Sequence, residues 1–305
     1  MTALSTAVAV PRAKRLKRWV RYVAIRMAAW WLAWLPVRLA ARIGDAFGAL
    51  TYVLARGERR KALASLATAF PQKTDAERLA LARASFRHLG RCVFELACVH
   101  QIDRRVDDFI DWPASERAAL DAALARKKGV LFISGHVGNW ELLARRVALA
   151  GYPCQTIAKE TSDPRLTAWV DAFRGSAKLK AIWRGRDGAV KDMLRAIKQG
   201  EILGLLIDQD TSVQSVWVPF FGQLAKTPRA AADLALRTGA AVMLGFCQRD
   251  ERGVYQLRMH EIDVLADDTP ESLTARLTLF IEAAIRRHPE QWVWMHRRWR
   301  SPKPQ

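Results

Sequence analysis

A histidine and a carboxylate delivered together at the end of a buried strand can move protons, and residues 128–141 contain both. Val130-Leu131-Phe132-Ile133 is a short apolar run rich in β-branched and aromatic residues. Gly135 and Gly138 interrupt it, and Trp140-Glu141-Leu142-Leu143-Ala144 opens a helical pattern. His136 therefore belongs at the carboxyl end of a strand and Glu141 in the first turn of the next helix. The two glycines permit a fold-back tight enough for the Glu141 carboxylate to reach one ring nitrogen of His136. A carboxylate on Nδ1 would fix the tautomer and leave Nε2 as a general base. The competing description is a satisfied polar pair. Against it, the Gly-His-Val-Gly-Asn loop carries no bulky side chain to cover the imidazole.

A second cluster follows at Gly204-Leu205-Leu206-Ile207-Asp208-Gln209-Asp210. Asp208 ends an apolar strand as His136 does, so both belong on one rim of a sheet, with Asp210 close by. The loop Trp217-Val218-Pro219-Phe220-Phe221-Gly222 is either a cover for the core or, through Phe220, a wall for an acyl chain or lipid. Thr227-Pro228 reads as the N-cap and first residue of a helix. Arg174, Arg184 and Arg186 punctuate turns where an anionic group could bind, solvated arginine being the ordinary alternative. There is no Gly-x-Ser-x-Gly elbow, Walker loop, Gly-x-Gly-x-x-Gly or His-Glu-x-x-His, so no metal site and no cofactor is expected. Without a nucleophile, the histidine would activate a substrate hydroxyl directly.

The elements that must position these residues alternate. Strands are expected at 130–134, about 153–158, 179–183 and 202–207, with helices at about 140–150, 164–174 and 187–199 between them. A long loop, a helix at 228–238, strands near 240–248 and 254–262, and a helix at 271–287 complete the pattern. This is an α/β fold with a mostly parallel sheet flanked by helices. Residues 58–100 are helical apart from a break at Pro71, after which Thr74 or Asp75 caps a helix.

The chain has 305 residues, half of them hydrophobic, and a net charge of +19. That size supports a full core. The charge calls for an acidic partner: nucleic acid, an anionic membrane or an acidic protein. Twelve tryptophans favour a bilayer interface. Between Met1 and Gly44 stand nine basic residues and no acid, interleaved with Trp19, Tyr22, Trp30, Trp31 and Trp34. The uncharged run Met27–Val37 is shorter than the ~20 apolar residues a span needs, so the segment suits a helix lying in the interface. A signal peptide and a buried helix with a basic face are the alternatives. Cys92, Cys98, Cys154 and Cys247 lack Cys-x-x-Cys spacing and read as reduced, buried thiols.

The motif Gly-His-Val-Gly-Asn-Trp-Glu at 135–141 resembles the His-x4-Glu element of the lysophospholipid acyltransferase superfamily, and more closely that of the bacterial lipid A lauroyl and myristoyl transferases. The likeness spans nearly the whole chain: the basic Trp-rich start, Phe70-Pro71, Asp208-Gln209-Asp210, Val218–Gly222, Thr227-Pro228 and, quite specifically, Pro289–Trp299. It implies transfer of a fatty acyl group from acyl carrier protein, or sometimes coenzyme A, to a hydroxyl of a lipid A precursor at the cytoplasmic face of the inner membrane. His136 would be the base, Glu141 its orienting partner and Asp208 a further catalytic residue. Arg174, Arg186, Asp210, Phe220, Arg297 and Arg298 would contact substrate. The expected partners are acyl carrier protein, an anionic lipid acceptor and the inner membrane, not nucleic acid. Residues 1–57 would form the membrane-associated helical segment and 58–305 the acyltransferase domain. The Phe-Pro-Glu-Gly-Thr motif of glycerol-phosphate acyltransferases is missing, which places glycerolipid synthesis on a lysophospholipid second, and an ornithine lipid or another glycolipid as acceptor is a further alternative. A non-enzymatic basic binding protein would explain the charge but not the two strand-end clusters.

Overall fold

A computed structural model describes residues 12–302. Helices come first: α1 (Arg12–Ala33), α2 (Val37–Leu54), α3 (Arg56–Ala69), α4 (Asp75–Ala97) and the short α5 (Val99–Arg104) and α6 (Val106–Phe109). Thr74, rather than Asp75, caps α4, exchanging hydrogen bonds with Glu77 in a capping box. A two-residue strand β1 (Ile110–Asp111) and α7 (Ala114–Ala125) lead into the alternating part. There β2 (Val130–Ser134), α8 (Trp140–Leu149), β3 (Cys154–Lys159), α9 (Pro164–Gly175), β4 (Lys180–Arg184), α10 (Ala189–Lys198) and β5 (Ile202–Leu206) follow one another as the hydrophobic pattern predicts. All five residues of β2 are buried, because helices cover both faces of a central parallel strand.

The predicted long loop after Asp208 is instead an antiparallel hairpin, β6 (Ser215–Phe220) and β7 (Gln223–Pro228), turning at Phe221-Gly222 where both residues have positive φ. Thr227-Pro228 accordingly closes a strand instead of capping a helix. Helix α11 (Ala230–Thr238) starts two residues later, behind Arg229. Then β8 (Ala241–Arg249), β9 (Tyr255–Ile262) and α12 (Pro270–Arg287) end the fold, and the tail Pro289–Trp299 folds back over the sheet rim. The seven-stranded sheet has the order β1-β9-β8-β2-β5-β3-β4, and only the β8–β9 pair is antiparallel.

The N-terminal helices divide their surfaces differently. Helix α1 buries none of its residues. Helix α2 lies against α4 through Ala40, Gly44 and Gly48, and a Cβ on Gly90 of α4 would overlap the Gly44 carbonyl oxygen. Its opposite face leaves Leu39, Ile43, Phe47, Leu50 and Leu54 exposed. Among the described residues no helix is long and apolar enough to cross a membrane. All four cysteines are free and buried.

Candidate active site

Strands β2 and β5 are hydrogen-bonded neighbours in parallel, with Ser134 opposite Leu206. Two residues beyond that pair on each strand come His136 and Asp208, so sheet register alone brings them side by side. Asp208 Oδ1 lies 2.7 Å from His136 Nδ1, and Oδ2 accepts the His136 backbone N–H at 2.7 Å and the Trp292 indole N–H at 2.8 Å. Gly135 makes room for this contact: a Cβ there would meet Asp208 Oδ2 at 3.1 Å and Ile281 at 3.1 Å.

The carboxylate is fully enclosed while the imidazole keeps 19% of its surface. Burial by itself would raise the Asp208 carboxyl. The charge and hydrogen bond of His136, with the Trp292 and backbone N–H donors, outweigh it and hold the group well below the ordinary carboxylate range. An ionised acceptor at Nδ1 keeps the Nδ1–H tautomer and leaves the Nε2 lone pair for a substrate proton.

The carboxylate at His136 is thus that of Asp208, not of Glu141. Glu141 is held by Arg174 from α9, with Oε1 to Nη2 at 2.5 Å and Oε2 to Nε at 3.1 Å. Such a fork fixes both side chains, as bidentate arginine–carboxylate pairs do. Trp140, next to Glu141, sets its ring edge-on to His136 with centroids 4.9 Å apart. Phe132, Ser134, Trp140, Glu141, Thr156, Arg174 and Leu206 line a small, mostly apolar cavity of about 60 Å³.

Three neighbours had no role assigned from sequence. The Gln209 side-chain nitrogen lies 3.0 Å from His136 Nε2 and 2.5 Å from His296 Nε2. The His296 ring stands 5.3 Å from that of His136, and burial pushes its pKa down to about 4, aided by the nearby His136 charge. Trp292 completes the cradle of Asp208. The likeness over Pro289–Trp299 marked this stretch as specific, but its distance along the chain from His136 concealed the contacts.

The other candidates separate. Arg186 is exposed and paired with Glu160 at 2.5 Å. The Asp210 carboxylate is enclosed and accepts the Ser301 backbone N–H at 2.8 Å, which ties down the C-terminal tail. Phe220 is fully buried between Phe221, Trp292 and Trp299, so the hairpin covers the core and Phe220 presents no wall to a ligand. Arg298 is also wholly buried, over the Phe220 ring, donating to Lys226 O at 2.6 Å and to Thr227 Oγ1, and cannot meet an external phosphate. Burial lowers its pKa to about 10. Arg297 is exposed.

The fold is a mostly parallel α/β sheet with a carboxylate-oriented histidine at its rim. Residues 9–301 match the model of the bacterial lipid A biosynthesis acyltransferases, and the chain belongs to that family. It is an acyltransferase. Lipid A biosynthesis lauroyltransferase of Escherichia coli (strain K12) is 26% identical over 97% of this chain and 95% of its own length. The palmitoleoyltransferase of the same strain is 26% identical over 89% and 92%. Phosphatidylinositol mannoside acyltransferase of Mycobacterium tuberculosis (strain ATCC 25618 / H37Rv) is 24% identical over 70% and 68%.

Proposed function

We propose that the protein transfers a fatty acyl group from a thioester, carried by acyl carrier protein or coenzyme A, to a hydroxyl of a lipid A precursor, working on the cytoplasmic face of the inner membrane. The observation that carries the chemistry is the bond from His136 Nδ1 to the enclosed Asp208 carboxylate. The acceptor hydroxyl takes the place of the Gln209 amide at Nε2 and gives up its proton as its oxygen attacks the thioester carbonyl. Asp208 stabilises the imidazolium, which then protonates the departing thiolate.

The oxyanion needs donors. The Gly138 and Asn139 N–H groups are committed to Gln291 O and Cys247 O, each at 2.8 Å. The first-turn N–H groups of α8 from Trp140 and Glu141, which have no intrahelical acceptor, remain, favoured by the helix dipole. Arg174 acts by fixing Glu141 at that helix start. No cofactor enters beyond the acyl donor. The net charge of +19 suits an acidic carrier and an anionic acceptor, and the apolar outer faces of α1 and α2 suit a bilayer surface.

The test is transfer of labelled acyl groups from acyl carrier protein and from coenzyme A to a panel of acceptors. The reading expects transfer to a lipid A precursor with sequential kinetics and no acyl-enzyme. Transfer only to lysophosphatidic acid or to an ornithine lipid would replace the acceptor, and a covalent acyl-enzyme would replace the mechanism.

A further inference from the structure

Helix α3 turns one stripe toward the C-terminal segment: Gly57, Arg60, Lys61, Ala64 and Thr68, recurring at helical spacing. Small residues run along its middle and cations along its edge. Arg297, Trp299 and Arg300 face it across an open cleft of about 520 Å³. Many arginines of this chain have a carboxylate partner, exposed Arg186 among them. In the cleft, Lys61 has Glu58 at 2.6 Å and Arg300 has the enclosed Asp210 carboxylate at 3.5 Å, whereas Arg60 and Arg297 have no acidic partner among the described residues. Four cations against two acids leave the cleft positive. Exposed like charges set opposite one another repel, which a bound anion would relieve.

The cleft is also joined to the reaction centre. Ser65, from its α3 wall, donates to the His296 carbonyl oxygen at 3.3 Å, and the His296 ring stands 5.3 Å from that of His136. Arg297 is the next residue. We propose that this cleft is a phosphate subsite, with Arg60 and Arg297 as its principal ligands, that holds the phosphorylated headgroup of the acceptor while the acceptor hydroxyl lies at His136. Guanidinium forks match phosphate oxygens two at a time, and the volume falls within the ~300–1,000 Å³ of small-molecule sites. The proposal rests on the acyl-transfer reading of the His136 site.

The test is the double variant Arg60→Gln/Arg297→Gln, both changes being at exposed positions outside the reacting centre. With acyl-coenzyme A and, separately, acyl-pantetheine as donor, acyl transfer is measured to a lipid A precursor and to the same precursor after phosphatase treatment. KM for the phosphorylated acceptor should rise about tenfold or more, the factor equivalent to ~1.4 kcal/mol, with kcat and the donor KM unchanged and the preference for the phosphorylated acceptor gone. An unchanged KM, or an equal change for both acceptors, overturns the subsite. A change confined to the KM for acyl-coenzyme A, absent with acyl-pantetheine, overturns the acceptor assignment and gives the cleft to the donor's phosphates. Calorimetric titration with inorganic pyrophosphate tests the site without acyl transfer: binding by the wild type that the double variant loses supports it, and equal binding by both refutes it. If the wild type transfers to no lipid A precursor but binds pyrophosphate through these arginines, the function reading fails while the phosphate site stands.

Discussion

Two carboxylates compete for the role of orienting His136, and their residue-scale geometry separates them. Asp208 bonds Nδ1 directly, while Glu141 bonds Arg174. His136→Ala should abolish transfer with the fold retained. Asp208→Asn preserves shape but removes the charge that stabilises the imidazolium, so kcat should fall by about 100-fold or more with a displaced acidic limb in the kcat–pH profile. Glu141→Gln should lower kcat without displacing that limb, because it acts through the α8 start and Arg174. The comparison is a pH–rate series on three purified variants, and a displaced limb in Glu141→Gln with none in Asp208→Asn would reverse the assignment. The sequence shows why this was hard to read. Glu141 is five residues from His136 and Asp208 is seventy-two, and only parallel pairing of β2 with β5 makes the distant residue the nearer one.

Among the elements, the turn between β2 and α8 is held from behind by α4. His88 lies 3.2 Å from the Gly138 carbonyl oxygen and Cys92 Sγ 3.3 Å from His88 Nε2, both in the core. Burial pushes the His88 pKa down from 6.5 to about 4, against the opposing effect of the Gly138 bond. The unfolded chain therefore binds a proton that the native state refuses, and stability is complete above pH 6.5 and lost as pH falls toward 4. At pH 5 the loss from His88 alone is about 2 kcal/mol. Urea unfolding at pH 7 and pH 5 should show a fall in midpoint, and His88→Gln should flatten it. An unchanged slope in that variant would remove His88 as the cause. The α2–α4 contact allows no Cβ, so Gly90→Ala should cost about 1–3 kcal/mol in the same assay, despite alanine's better helix propensity. The alternating strands and helices of 130–207 were legible because their periodicities differ. The β6–β7 hairpin was not, since its positive-φ corner falls on Phe221, a residue that does not advertise a turn, as well as on Gly222.

On the scale of the whole molecule, charge and apolar surface converge on the N-terminal helices. Trp30, Trp31 and Trp34 are 54%, 64% and 73% exposed on or just after α1, and the outer face of α2 adds Leu39, Phe47 and Leu50. The interleaved tryptophans and basic residues before Gly44 made this segment conspicuous in the sequence. That the inner face of α2 packs on α4 was not evident, because a glycine stripe reads as weak helix rather than as a close contact. A cut at residue 44 would therefore divide a packed helix, and removal of residues 1–34 is the cleaner experiment. Cosedimentation with vesicles should show strong binding to anionic bilayers at low salt, weaker binding to zwitterionic ones, and partial retention at high salt where the tryptophans alone act. Replacing Trp30, Trp31 and Trp34 with serine should lower vesicle affinity on the order of 100-fold, because indoles otherwise buried at the interface are lost, while leaving the thermal transition in place because α1 contributes no buried residue. Equal sedimentation of wild type and triple variant, or binding with no dependence on lipid charge, would refute a membrane contact made through these helices.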